Sequence, residues 1–156
     1  MQSNNAKLSF LGQLGSCGAR RVFLGFAAAD DLYRASFSDT LDEISGKGYQ
    51  RRFNQAHSKE FSNYIHTEGA TTIPLTFNLR PEKGWSVKED VAGKNTELEI
   101  DLSSGSVMSQ VDCQHRLGNL SQSKVNLPFM CFLGLTVEEE IEIFRTINGK
   151  AKGLSG

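Results

Sequence analysis

Apolar and polar residues alternate in short runs from the start of the chain. "KLSFLGQL" (residues 7–14) and "RRVFLGF" (residues 20–26) flank the glycine-rich "GQLGSCG", a pattern that predicts an opening hairpin. "SFSDTLDEISGKG" (residues 36–48) starts with residues suited to capping, spaces Leu41 and Ile44 as one helical turn would, and stops at Gly46, predicting a short helix. In residues 49–69, Tyr49, Phe53, Ala56, Phe61, Tyr64 and Ile65 recur at helical spacing and Gly69 follows, predicting the main middle helix. "TTIPLTFNL" (residues 71–79) is rich in β-formers, and Pro74 puts it at a strand start or a sheet edge.

Farther on, Leu98, Ile100 and Leu102 alternate in "TELEIDL". The following "SSG" predicts a hairpin into "SVMSQVD" (residues 106–112), whose strand ends at Asp112. "HRLGNLSQS" predicts a short helix, and the unbroken apolar run "NLPFMCFLGL" a buried strand. In "TVEEEIEIFRTING" (residues 136–149), Thr136 and Glu139 form a capping box, Val137, Ile141 and Phe144 align, and Asn148-Gly149 is expected to stop the helix. Interleaved strands and helices with two hairpins predict a small mixed sheet with packed helices, in the α/β (α+β) class.

The 156 residues fit a single domain over residues 1–156 that folds without staples. With 38% hydrophobic residues and ten Phe, disorder is expected only at the ends. Seventeen basic and eighteen acidic residues give a net charge of −1, so nucleic-acid binding would have to come from a local patch. Cys17, Cys113 and Cys131 form neither a C-x-x-C pair nor a disulfide pattern, so the expected compartment is the reducing cytoplasm. "LPFMCFLGL" is shorter than the roughly 20 residues of a membrane helix, and "MQSNNAK" lacks a signal peptide's apolar segment.

The densest candidate chemistry is "MSQVDCQHRLGNL" (residues 108–120). In α/β folds ligands bind beyond the carboxyl ends of strands, which is where this pattern puts Asp112, Cys113, Gln114, His115 and Arg116. Arg116 is suited to a bidentate contact with phosphate or carboxylate, Asp112 to a metal or to base chemistry, and His115 to proton transfer near neutral pH. Gln114 offers both donor and acceptor. The competing reading has Asp112 capping a turn, His115 and Arg116 solvated, and Cys113 a small buried filler. A neighbouring arginine or protonated histidine would also favour a reactive Cys113 thiolate.

"VDCQHRLGNL" resembles the Asp-Gly-Gln-His-Arg motif of DGQHR-domain proteins, a group that includes DndB-type proteins of DNA phosphorothioation and related DNA-modification and phage-defence proteins. "GYQRRFNQAHSKEFSNYI" is similar to the family's upstream Gln-Arg helix and "TIPLTFNL" to its following strand. "LPFMCFLGLTVEEEIEIFRTINGKAKGLS" is similar to its later strand and Phe-x-x-Ile-Asn helix, and the blocks, in the family's order, cover about residues 20 to 155. The resemblance implies a ParB/sulfiredoxin-like fold and a nucleotide- or DNA-associated role. It places Asp112, Gln114, His115 and Arg116 on the motif, Gln50 and Arg51 on the upstream pair, and Asn148 on the late asparagine. On it, Gln50, Arg51, Gln114, Arg116 and Asn148 would bind nucleotide or phosphate. Asp112 would hold a metal or water, and His115 would move a proton. Resembling proteins generally continue past this chain's end.

Cys113 stands where the family has glycine, and a Cβ with sulfur there is expected to obstruct a positive φ or a close approach of ligand. Sulfiredoxin's Gly-Cys-His-Arg motif carries its cysteine two before the arginine, a place held here by Gln114, so thiol catalysis does not carry over.

Of the lesser features, Gly12, Gly15 and Gly18 match neither a P-loop nor a dinucleotide fingerprint and read as a hairpin loop, with Arg20 and Arg21 behind it adding positive field. His57, His66 and His115 with Cys113 show no zinc spacing; Mg²⁺ accompanying a nucleotide is the expected cofactor. Lys47, Arg51, Arg52 and Lys59 read either as a solvated face or as a contact surface for DNA phosphates. The expected function is nucleotide binding, with hydrolysis, in a DNA-modification or phage-defence system. The alternative is a non-catalytic DNA-binding regulator of DndB type.

Overall fold

The first two strands, β1 (Lys7–Cys17) and β2 (Arg20–Ala28), form the expected antiparallel hairpin, but the glycine-rich stretch read as its loop is mostly strand: Gly12 pairs with Gly25 and Gly15 with Val22, and only Gly18 and Ala19 turn the chain. The computed structural model describes residues 6–42, 44–81, 84–89 and 95–154, with side chains described to residue 149. β2 passes directly into α1 (Ala29–Ala35). The backbone N–H groups of Ala29 and Asp30 donate to the carbonyls of Val125 and Ser123, each at 2.9 Å, so tertiary partners start this helix without a side-chain cap. Its Ala29, Leu32 and Ala35 are buried.

The chain continues through β3 (Ser36–Phe37), α2 (Gln55–Ile65), β4 (Leu75–Leu79), β5 (Trp85–Glu89), β6 (Thr96–Asp101) and β7 (Met108–Asp112). The single-turn α3 (Gln114–Leu117), β8 (Asn126–Leu133) and α4 (Val137–Leu154) complete it. Among the described residues the strands form one mixed sheet in the order β3-β7-β4-β8-β2-β1-β6-β5. Its β2-β1-β6-β5 half is antiparallel throughout, whereas β3 runs parallel to β7 and β4 parallel to β8. The class is mixed α/β (α+β). Phe129 on β8 ties the halves together: its ring meets those of Phe10, Phe23 and Phe77 with centroids 5.4, 5.8 and 6.2 Å away. Such ring pairs each contribute about 0.5–1.5 kcal/mol beyond the area they bury. No helix among the described residues is long and apolar enough to cross a membrane.

Several sequence expectations are corrected. Among the described residues 36–48, which exclude Glu43, there is no helix: Asp42 accepts from the Ile44 N–H at 2.9 Å and the Ser45 hydroxyl at 2.8 Å, a local turn that displaces helical bonding. Ile44, 99% exposed, has no apolar face to join. The middle helix begins at Gln55 rather than Tyr49, because the Asn54 side chain caps it by accepting from the His57 N–H at 3.1 Å. Residues 49–50 instead pair with the loop before them, Tyr49 and Gln50 N–H groups donating to the Asp39 carbonyl at 2.9 and 3.0 Å. Gly48 makes this crossing possible, with φ +83° and a backbone so close to the Thr40 carbonyl that a Cβ would collide with it.

The hairpin between residues 96–102 and 106–112 does not form. The turn is present, with the Gly105 N–H donating to the Leu102 carbonyl at 3.0 Å, yet β6 pairs with β1 and β5, and β7 pairs with β4 and β3. β6 buries only alternate residues, while β7 buries Met108 through Val111, so each suits a different half of the sheet. Finally, α4 runs past Asn148-Gly149 to Leu154; the Asn148 side chain donates back to the Phe144 carbonyl at 2.8 Å instead of ending the helix. Its capping box is as expected, with Thr136 Oγ1 accepting from the Glu139 N–H at 3.3 Å and the Thr136 N–H donating to Glu139 Oε1 at 3.2 Å. Val137, however, is exposed, and buried Glu140 takes the inward place.

Candidate functional site

β7 is buried from Met108 to Val111 and emerges at Asp112, so the polar run "DCQHR" leaves the sheet at a strand's carboxyl end. Cys113 has φ −167°, extended backbone open to any residue, so no positive φ is needed here and the expected obstruction does not arise on that ground. Its sulfur belongs to the core, 4% exposed and 3.7 Å from the Thr76 carbonyl oxygen that accepts from it. Burial pushes the thiol pKa well up, outweighing nearby Arg116, so Cys113 is a protonated packing residue rather than a reactive thiolate.

Beyond Asp112 opens a cavity of about 570 Å³. Gln50 and Arg51 line it from the segment before α2, His57 from α2, Asp112, Gln114, His115 and Arg116 from the β7–α3 junction, and Phe144 and Asn148 from α4. Residues far apart in sequence thus share one wall. Arg51 and His57 are exposed at it.

Arg116 is largely committed to the fold. Its Nη1 donates to the Ile73 carbonyl at 2.7 Å and to Thr72 Oγ1 at 3.1 Å; its Nη2 donates to the Asp112 carbonyl and lies 3.4 Å from Asp112 Oδ2. These contacts fasten the approach to β4 onto the end of β7 and leave Nε as the guanidinium's remaining donor. His115 stacks on Phe53 with centroids 5.7 Å apart and meets His57 edge-on at 6.1 Å. Its Nε2 is buried without a partner among the described residues, as are Ser58 Oγ on α2 and Asn119 Nδ2 in the turn after α3. Gly118 permits this stacking, because a Cβ there would run into the Phe53 ring.

Behind the cavity lies a buried polar network that the sequence reading misses. Glu140 on α4, 0% exposed, accepts from the Tyr49 hydroxyl at 2.6 Å, Ser109 Oγ at 2.8 Å, Asn78 Nδ2 at 2.9 Å, and Arg80 Nε and Nη2 at 3.1 and 2.9 Å. Arg80 also donates to Asp39 Oδ2 at 2.6 Å. Burial pushes the Glu140 pKa up, but the donors from Arg80, Tyr49, Asn78 and Ser109 outweigh it and hold the carboxyl below its ordinary value. Burial lowers the Arg80 pKa, yet Glu140 and Asp39 carry it above the usual range; burial and then Glu140 raise that of Tyr49. Gln50 joins this network, donating to the Gln110 carbonyl and accepting from Ser38 Oγ at 3.2 Å, so it positions the cavity wall. The signal for Glu140 is its place four residues before Phe144 on the apolar face, hidden within three consecutive glutamates.

The other candidates disperse. Arg20 donates to Glu139 Oε2 at 2.7 Å on α4. His66 is held by Ser62 O at 2.6 Å and Ser123 Oγ at 2.7 Å, and among the described residues no group of three His, Cys, Asp or Glu stands close enough to hold a metal ion. Asp112 is the carboxylate on the cavity wall, which fits Mg²⁺ only as an ion carried with ligand phosphates. Lys47, Arg51, Arg52 and Lys59 are all exposed.

No family model matches the chain, and no curated protein or solved structure matches it significantly.

Proposed function

We propose that the chain is a DGQHR-type domain with a ParB/sulfiredoxin-like fold that binds the phosphates of a nucleotide in the cavity beyond β7 and acts in a DNA-modification or phage-defence context. One observation carries the reading: Gln50 and Arg51, the Asp112–Arg116 stretch and Asn148, separated along the chain, line a single cavity of about 570 Å³, a volume suited to a small ligand. Arg51, exposed at the wall, supplies the charged contact to phosphate, and the Arg116 Nε and the second Nδ2–H of Asn148, the first being held by the Phe144 carbonyl, supply further donors. Mg²⁺ entering with the nucleotide would be held by Asp112 and would neutralise phosphate charge. If the bound nucleotide is hydrolysed, His115, a cavity residue with His57 beside it, is the proton carrier on this reading.

Thermal unfolding of the full chain with each NTP, with and without Mg²⁺, tests this, since a ligand of the folded state stabilises it by RT ln(1 + [L]/Kd). A concentration-dependent rise in Tm is expected, and Arg51→Ala should weaken the affinity about tenfold while leaving the ligand-free Tm unchanged. The absence of any rise at millimolar NTP defeats the reading.

The exposure of Lys47, Arg51, Arg52 and Lys59 favours a second reading, a DndB-type DNA-binding regulator without catalysis. On that reading Lys47→Ala and Lys59→Ala weaken duplex DNA retention and each lowers the salt slope by about 0.9, with NTP stabilisation unchanged.

A further inference from the structure

A second cavity, of about 500 Å³, lies on the other side of Gln114, which lines both. The two differ in chemistry. The first presents Arg51, Arg116, His57 and His115; the second presents the aromatic rings of Tyr33, Phe37 and Phe53 with the hydroxyls of Ser38 and Thr40, and Arg34 is its one charged lining residue among those described. Phe53 joins them, lining the second cavity while its ring stacks on His115 of the first.

The amides around this boundary are unequally engaged. Gln50 is committed through both ends of its side chain, to the Gln110 carbonyl and to Ser38, and Gln110 donates to Ser36 Oγ at 2.9 Å. Gln114 makes no side-chain hydrogen bond among the described residues, though it is half-buried. An amide offers a donor and an acceptor side by side, the pattern that the hydrogen-bonding edge of a nucleobase complements, and aromatic faces accept any base by stacking.

We infer that the second cavity receives the nucleoside end of the ligand whose phosphates occupy the first, with Gln114 reading the edge of the base. The inference rests on the phosphate reading above and adds the substrate class: a nucleotide discriminated by its base, with Tyr33, Phe37 and Phe53 offering stacking faces and Ser38 and Thr40 facing the sugar.

Calorimetric titration of the full chain with ATP, GTP, CTP, UTP and inorganic triphosphate tests it, repeated with Gln114→Leu and with Tyr33→Ala, a change at a side chain 40% exposed. At least one NTP should bind about tenfold or more tightly than inorganic triphosphate. Gln114→Leu should bring the four NTPs to within about twofold of one another, and Tyr33→Ala, at a residue that lines the second cavity alone, should weaken the preferred NTP about threefold without changing inorganic triphosphate affinity. If Gln114→Leu does not fold, Gln114→Glu, of the same length, should change which base is preferred. Inorganic triphosphate binding as tightly as every NTP overturns the inference and leaves the phosphate reading standing. A folded Gln114 variant with the wild-type base preference also overturns the inference. Absence of binding by all five compounds overturns both.

Discussion

Two arginine–carboxylate pairs mark opposite ends of the β4–β7 ladder, in which Thr76 faces Asp112 and Leu79 faces Met108. At one end, Arg80 meets Glu140 at 2.9 Å, with the Arg80 side chain 16% exposed and the carboxylate fully buried and surrounded by donors. At the other, Arg116 meets Asp112 at only 3.4 Å, the Asp112 side chain is 38% exposed, and the arginine's best contacts go to backbone carbonyls. The same two residue types therefore do different things. Glu140 is closed and holds three elements together, while Asp112 is open to a cavity. The dense polar run "DCQHR" marks the second pair in the sequence; nothing local marks the first.

The contrast predicts its largest effect at Glu140. Removing one partner of a buried pair leaves the other charge uncompensated, so Glu140→Gln should cost about 3–5 kcal/mol in urea unfolding followed by circular dichroism. A loss below about 1 kcal/mol would mean that the network is not closed. The pH dependence sharpens this. Because the folded-state pKa of Glu140 lies below its ordinary 4.5, its ionised form contributes stability that is fully present above that value and is lost as pH falls through the folded pKa. The gap between wild type and Glu140→Gln should thus be constant near neutrality and shrink below pH 4.5. A gap that does not narrow on acidification would contradict an ionised Glu140.

Arg116 should give an intermediate effect, because it binds neutral backbone rather than a buried charge. Arg116→Ala releases the Thr72 and Ile73 contacts and should cost about 1–3 kcal/mol, with amide exchange at residues 71–76 accelerating first. Arg116→Lys should recover little, since one ammonium cannot reproduce a planar fork that reaches Ile73 and Asp112 together. Loss of nucleotide binding with no change in stability or exchange would make Arg116 a ligand residue instead of a latch.

What the sequence discloses follows the same division between local and distant causes. The opening hairpin, the capping box at Thr136 and the emergence of "DCQHR" at a strand end are legible because alternation, caps and strand boundaries are written in neighbouring residues. The start of α1 on the Ser123 and Val125 carbonyls, the extended course of residues 49–50 along Asp39, and the separation of β6 from β7 are settled by residues far along the chain. The candidate site divides likewise. Its members are visible as residue types, but which amides and guanidinium groups are already engaged by the fold appears only in three dimensions. Cys113 is the clearest case: beside Arg116 in sequence it looks activated, and only its burial against Thr76 shows it to be packing.

The smallest effect should come from Asp112, and it tests the open end of the comparison directly. Asp112→Asn removes the carboxylate charge yet keeps the backbone carbonyl that accepts from Arg116, so the fold loses only the long, partly solvated contact of Oδ2 with Nη2. Exposed ion pairs of this kind are worth about 0–1 kcal/mol, and the urea midpoint should move correspondingly little. Nucleotide binding should respond differently. If Asp112 holds Mg²⁺ with the phosphates, Asp112→Asn should abolish the added Tm rise that Mg²⁺ gives over NTP alone while leaving the metal-free rise in place. A drop in stability comparable with that of Glu140→Gln would show that Asp112 is as closed as Glu140. An undiminished Mg²⁺ increment would take the metal role from Asp112 and leave Arg51 and the amides as the phosphate contacts.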